Sequence, residues 1–329
     1  MKTESINRII VSRTDSIGDV MLTLPLCVWI KNQFPNIQLV FLCKSYTRDV
    51  VACFNPVDEI ITLEELTQLT EAERTKNLRC DLIIHVFPNS LVAKWAKKAK
   101  IPLRIGTSHR IFHWLYCNKL VSFTRKNASL HEAQLNFNLC FPLGLNSIPE
   151  FKEIQEISSH FKVKKSKNPI SEKKIIIHPM SQGSAVDYPL VKYVELAAEL
   201  EKLNYQVFIS GTQKEGELIG NAFEHLAKTT MICGKYSLAE FIAFMATTDA
   251  LIACSTGPLH IAAAMNLKAI GLFSPRKPIH PGRWKPLGIN SNALVFDNNC
   301  QVCNEGKPCD CIGRISINQI VDALGTDQI

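Results

Sequence analysis

Short apolar runs alternate with amphipathic stretches along most of the chain, and that alternation sets the expected elements. In the first half, RIIVSR, QLVFLC, EIITL, DLIIHVF and LRIG read as strands. Helical patterns lie between them over residues 19–31, 46–53, 64–77 and 90–98. Residues 107–125 have no clean period and mix aromatics with base. HEAQLNFNLCFPLG then reads as a helix ending at Gly144. Residues 146–172 are polar, basic and poor in large apolar side chains, as an inter-domain linker would be.

The alternation then restarts. KIIIHP, QVFIS, TMICG, ALIAC and AIGLFS read as strands, with helices over residues 190–202, 214–227, 238–246, 258–265 and 316–324. Strands alternating with helices form parallel sheets covered on both faces. The expected fold class is therefore α/β, with two Rossmann-like doubly wound domains facing each other across a cleft. Their expected bounds are residues 1–160 and 172–315, with a C-terminal helix over 316–329.

The 329 residues suit two domains, and 46% hydrophobic residues suffice for two cores. The net charge of +7 is too small to point to nucleic acid. It fits a phosphate-bearing ligand or an anionic membrane surface. The early apolar stretch over residues 20–30 is short and broken by Pro25, and the first residues lack the apolar segment of a signal peptide. The expected location is cytoplasmic, with peripheral membrane contact left open. Eight of the twelve cysteines sit singly among apolar neighbours, as buried thiols of a reduced protein do.

Ligands of open parallel sheets bind beyond the carboxyl ends of strands, so the strand-to-helix turns hold the candidate chemistry. The first is RTDSIGDVMLTLP, residues 13–25. Gly18 permits a tight turn or a close approach. Asp19 falls at a helix start, where its carboxylate could cap free N–H groups or act as a general base, and the spacing leaves both open. Asp15 is most simply an ion-pair partner of Arg13.

In the second half, HPMSQGSAVDYP places Ser181, Gln182, Gly183 and Ser184 between a strand and a helix. ACSTGPLHIAAA does the same with Ser255, Thr256, Gly257 and Pro258, and puts His260 one turn into the helix. A helix start of this kind offers N–H donors and positive dipole to an anion. Two such turns suit a diphosphate or nucleotide, although neither is a Walker or Rossmann fingerprint. SPRKPIHPGRWKP adds Arg276, Lys277, His280, Arg283 and Lys285, either a solvated loop or a phosphate-neutralising one.

Taken together, RTDSIGDVMLTLP, RIGTSHR, HEAQLN, HPMSQGSAVDYP and STGPLHIAAAMNLKAIGLFSP resemble glycosyltransferase family nine, the lipopolysaccharide heptosyltransferases. The resemblance implies a GT-B fold and inverting, metal-independent transfer without a cofactor, typically from ADP-heptose to a lipopolysaccharide core. It makes Asp19 the base. Arg13, Asp15, Gly18 and Arg110 fall on the acceptor side. Ser181 to Ser184, Ser255, Thr256, Gly257, Pro258 and His260 fall on the donor side. The implied partners are an ADP-sugar and a lipid-linked oligosaccharide. The basic, aromatic segment from Arg110 to Lys126 is either the part that meets an anionic lipid acceptor at the inner membrane or an ordinary surface loop with a partly buried aromatic cluster. Ser255 stands where the family carries an aspartate, and Val186 and Tyr188 stand where it carries a basic residue and a tryptophan. A different nucleotide-sugar, a degenerate binding paralogue, or an epimerase on the same scaffold are the alternatives.

Cys300, Cys303, Cys309 and Cys311 are spaced C-x2-C-x5-C-x-C. Four thiolates so close together could hold a small zinc site. The closing C-x-C is unusual for a zinc knuckle, however, and no second loop of usual length follows. The expectation is therefore local bracing, by a disulfide or by free thiols, with no metal assigned.

Overall fold

The computed structural model describes residues 6–125, 129–166 and 173–325. They divide into two compact units, Met1–Lys162 and Val163–Ile329. The first holds β1 (Arg8–Ser12), β2 (Gln38–Cys43), β3 (Glu59–Thr62), β4 (Leu82–His85), β5 (Leu103–Thr107) and β6 (Lys119–Val121). They form one parallel sheet in the order β3-β2-β1-β4-β5-β6. The second holds β7 (Lys173–His178), β8 (Tyr205–Ile209), β9 (Thr229–Met231), β10 (Ala250–Cys254), β11 (Lys268–Leu272) and β12 (Ser291–Leu294). Their order, β12-β11-β10-β7-β8-β9, is the same winding repeated, and again every pairing is parallel. Each unit is thus a doubly wound sheet of Rossmann type, the α/β class of GT-B proteins.

Central strands read as unbroken apolar runs because helices cover both of their faces. Ile9, Ile10 and Val11 are fully buried, as are Ile175, Ile176 and Ile177. In the second unit Tyr188, Tyr193, Leu196 and Leu200 pack with Ile175 and Ile177 of β7, joined by Ile312, Ile315 and Ile320 from the chain's end.

Several elements differ from the sequence reading. Residues 19–31 are two helices, Ile17–Met21 and Leu24–Gln33, the second with Pro25 in its first turn. Proline has no N–H to continue a helical ladder but is accepted at a helix start. Residues 64–77 likewise split into Leu63–Gln68 and Glu71–Asn77, because Thr62 with Glu65 and Thr70 with Glu73 each form a capping box. The aperiodic stretch contains a short helix, Ile111–Tyr116, and β6.

The supposed linker is largely part of the first unit. It forms the helix Phe151–Ile154 and a 3-10 turn, Ser158–His160. It buries Ile154, Ile157 and Phe161, and Phe161 bridges to Phe54. Residues 167–172 of that stretch lie outside the described ones.

Candidate active site

Both sheets reverse their direction of winding between the first and fourth strands, β1 and β4 in one unit and β7 and β10 in the other. Loops diverge there at the carboxyl ends and leave room for a ligand.

At the end of β1 the chain turns through Arg13, whose side chain is only 3% exposed. Its Nε donates to Asp15 Oδ1 at 2.8 Å, one terminal nitrogen donates to Asp19 Oδ1, and the other lies 3.5 Å from Glu132 Oε1. Glu132 also accepts from Arg125 Nε at 2.8 Å, and Asn136 Oδ1 accepts from Arg125 at 2.8 Å. Asn136 in turn donates to the carbonyl of Leu22, the residue that closes the first helix, at 3.0 Å. Three carboxylates therefore meet two guanidiniums. Burial works against the charge on Arg13, but the three acids override it and hold the guanidinium protonated. Burial pushes the Asp15 carboxyl up to about 6, against the opposing pull of Arg13.

Asp19 does not cap the helix. The N-cap is Ser16, which has extended backbone geometry and accepts from the Asp19 N–H. Asp19 sits on the first turn, 18% exposed, and its second oxygen accepts from Ser16 Oγ at 2.5 Å. Gly18 precedes it in the same turn. Asn89 donates to Thr14 Oγ1 at 3.1 Å and ties the β4 turn to this one. Arg110 is exposed at the start of the helix Ile111–Tyr116, and among the described residues no ion pair joins it to the cluster.

Ser12 and His85 end β1 and β4 as register partners. Both are buried, and among the described residues the Ser12 hydroxyl and both His85 ring nitrogens have no hydrogen-bond partner. Burial pushes the His85 imidazole down to about 3, with His113 and Arg104 adding to the shift.

The second unit brings its two donor-rich turns together. Ser184 N–H donates to the Ser181 carbonyl at 3.0 Å, with Gln182 and Gly183 both at positive φ between them. That is the pattern of a type I′ turn, which strongly favours glycine. Ser184 Oγ then donates to the Ser255 carbonyl at 3.2 Å, joining the β7 turn to the β10 turn. Thr256 is the N-cap of the helix Gly257–Ala264, with Pro258 in the first turn and His260 buried on it. Thr256 is 6% exposed, yet among the described residues its hydroxyl has no hydrogen-bond partner. A buried hydroxyl at a helix start is poised to donate to an anion. After β11, Arg276, Arg283 and Lys285 are half-buried and Lys277 is exposed.

The signal for Glu132 and Asn136 lay in HEAQLN, where their i, i+4 spacing puts two polar side chains on one helical face. Their link to Arg13 spans more than half of the first unit and has no local signature.

Residues 73–311 match the family described as glycosyltransferase family 9 (heptosyltransferase). A Haemophilus influenzae protein bearing only the general name of a glycosyltransferase is 26% identical over 88% of each chain. The lipooligosaccharide heptosyltransferase 2 of the same organism is 26% identical over 80% of this chain and 82% of its own. The solved Escherichia coli heptosyltransferase WaaC with ADP has a TM-score of 0.74 at 15% identity. That match covers 97% of this chain and 99% of the other.

Proposed function

The chain belongs to glycosyltransferase family 9, and on that premise we propose that it moves heptose from ADP-heptose onto a lipopolysaccharide core acceptor with inversion. The observation that carries this reading is Asp19 on the first turn of the helix after β1, partly exposed and fixed on both oxygens by Arg13 and Ser16. A carboxylate held this way can take the proton from an acceptor hydroxyl as that oxygen bonds to the anomeric carbon. The anomeric carbon–phosphate oxygen bond breaks in the same displacement, and the electron pair leaves on ADP. Asp15, which accepts from Arg13 Nε at 2.8 Å, orients the guanidinium.

In the second unit, the Thr256 hydroxyl, the N–H groups that open the helix Gly257–Ala264 and the small side chains of the Ser181 to Ser184 turn suit the diphosphate. Preorganised donors count most where charge develops, here on the leaving phosphate. With the basic residues after β11, this scheme needs no divalent ion for the transfer step.

The acceptor's lipid end is assigned to the helix Ile111–Tyr116. Ile111, Trp114 and Leu115 are exposed on it by 85%, 66% and 60%. The neighbouring helix Ser90–Lys98 presents Lys94, Lys97 and Lys98, and Lys97 Nζ donates to the Leu115 carbonyl at 2.8 Å. An apolar patch rimmed by lysines matches the interface of an anionic leaflet. Lys126 lies outside the described residues. Among the described residues no helix is long and apolar enough to cross a membrane.

A second reading, transfer from another nucleotide-sugar, is favoured by Tyr188. Its ring is buried and its hydroxyl donates to the Ile315 carbonyl at 2.8 Å, so it serves the core. Incubation of heptose-deficient core acceptor with a panel of nucleotide-sugars, read by mass and by the anomeric configuration of the product, tests both. Transfer from ADP-heptose with inversion supports the first reading, transfer from another donor alone supports the second, and donor turnover without acceptor overturns both.

A further inference from the structure

Among the described residues, Cys300, Cys303, Cys309 and Cys311 are free thiols whose sulfur atoms all lie within 4.8 Å of one another. Cys300 Sγ and Cys309 Sγ are 3.7 Å apart. A disulfide requires about 2.05 Å between its sulfurs. Zinc–thiolate bonds of about 2.3 Å in a tetrahedron place sulfurs about 3.8 Å from one another. Two disulfides would draw the sulfurs into two separate pairs. Mutual convergence of all four is instead what a single central ion requires.

We propose that these four cysteines form a closed tetrathiolate site for one divalent metal ion of the zinc class. An all-sulfur tetrahedral donor set selects zinc or iron over the hard cations. Four protein ligands leave no open position, so the ion is structural. Its place in the fold shows what it braces. Cys303 Sγ lies 3.6 Å from Ser274 Oγ, on the loop that follows β11. Immediately beyond Cys311, Ile312 and Ile315 enter the core beside Tyr188, and the Tyr188 hydroxyl donates to the Ile315 carbonyl. Tyr188 N–H donates in turn to Cys254 Sγ at 3.3 Å, and Cys254 is the residue before Ser255. The chain around the cysteines has little regular structure: a single four-residue helix, Gln301–Asn304, and the 3-10 turn Cys311–Arg314. The ion supplies the cross-link that this segment lacks, and it seats the segment against the turns at the ends of β7, β10 and β11.

The test is metal analysis of the full chain purified without metal-affinity resin, together with cobalt substitution. About one zinc per chain is expected, and the cobalt form should show the sulfur-to-metal charge transfer and strong visible bands of a tetrahedral tetrathiolate. Cys300→Ser and Cys309→Ser, at the two half-buried positions, should lose the metal, whereas Cys233→Ser should keep it. If the cluster variants do not fold, the wild-type chain still decides: chelation should lower its melting temperature by about 5–10 °C, and zinc should restore it. Iron in place of zinc would keep the site and overturn the zinc assignment. Metal-free protein with four readily alkylated thiols, or with disulfides among them, would overturn the proposal.

Discussion

Arg13 binds Asp19 through a guanidinium that is itself almost fully buried, so a partly exposed carboxylate is anchored from the protein's interior. The orientation of Asp19 therefore does not depend on solvent or on substrate. A preset acid–base group loses no ordering entropy when the acceptor arrives.

Asp19→Asn keeps the shape and the Ser16 contact but cannot accept a proton. Transfer should fall about 10³-fold, within the usual range for a general base. Donor affinity measured by calorimetry should stay within about twofold. A variant that loses donor binding along with transfer would remove Asp19 from the role of base.

Arg13→Met removes one of the two guanidiniums described beside buried Glu132 and the one that pairs with Asp15. Removing one side of a buried ion pair costs about 3–5 kcal/mol. The urea midpoint should drop accordingly. An unchanged midpoint would mean that the cluster rearranges without penalty.

Thr256→Val preserves shape and deletes a hydroxyl that has no hydrogen-bond partner among the described residues. Stability should change by less than about 0.5 kcal/mol or rise slightly, since an unsatisfied buried polar group is lost. ADP affinity should fall about tenfold. Equal ADP binding by the variant and the parent would detach Thr256 from the phosphate.

Buried His85 and Asp15 give opposite acid responses. The His85 pKa is about 3 folded against an ordinary 6.5, so the unfolded chain binds more protons and stability falls as pH drops from 6.5 towards 3. The slope for one proton is about 1.4 kcal/mol per pH unit. The Asp15 pKa is raised to about 6, so the folded state binds more protons and stability rises as pH drops from 6 towards 3.8. His85→Phe should therefore resist acid better than the parent in denaturant titrations at pH 4–6. Equal acid sensitivity would refute the assignment.

Trp114→Ser combined with Ile111→Ser should release the protein from vesicles rich in anionic lipid while lowering its melting temperature by no more than about 2–3 °C, because both side chains are largely exposed and the main loss is the surface hydrogen bond from Trp114 Nε1 to the Ser108 carbonyl at 2.8 Å. Co-sedimentation reads the loss. Retention of vesicle binding would place the lipid contact elsewhere.

The strands are legible in the sequence because parallel strands covered on both faces must be apolar throughout, as at Ile9–Ile10–Val11 and Ile175–Ile176–Ile177. The turns are legible because serine, threonine, asparagine, aspartate, glycine and proline dominate helix starts and tight reversals. The helix breaks at Thr70 and before Pro25 were written in the chain as a capping box and a proline, but helix-forming residues on both sides of each break mask such punctuation. The partners of Arg13 could not be read locally, because Glu132 and Asn136 reach it only through the folded sheet. The cysteine spacing likewise could not say whether the five residues between Cys303 and Cys309 double back. The folded chain shows that they do.

Phe161 is wholly enclosed beside Phe54, and the next residue, Lys162, donates its N–H to the Cys53 carbonyl. During synthesis the amino-terminal half must therefore wait, its last wedge missing, until that phenylalanine has cleared the ribosomal tunnel. A nascent chain stalled shortly before it would hold a nearly complete sheet with an open seam at Phe54.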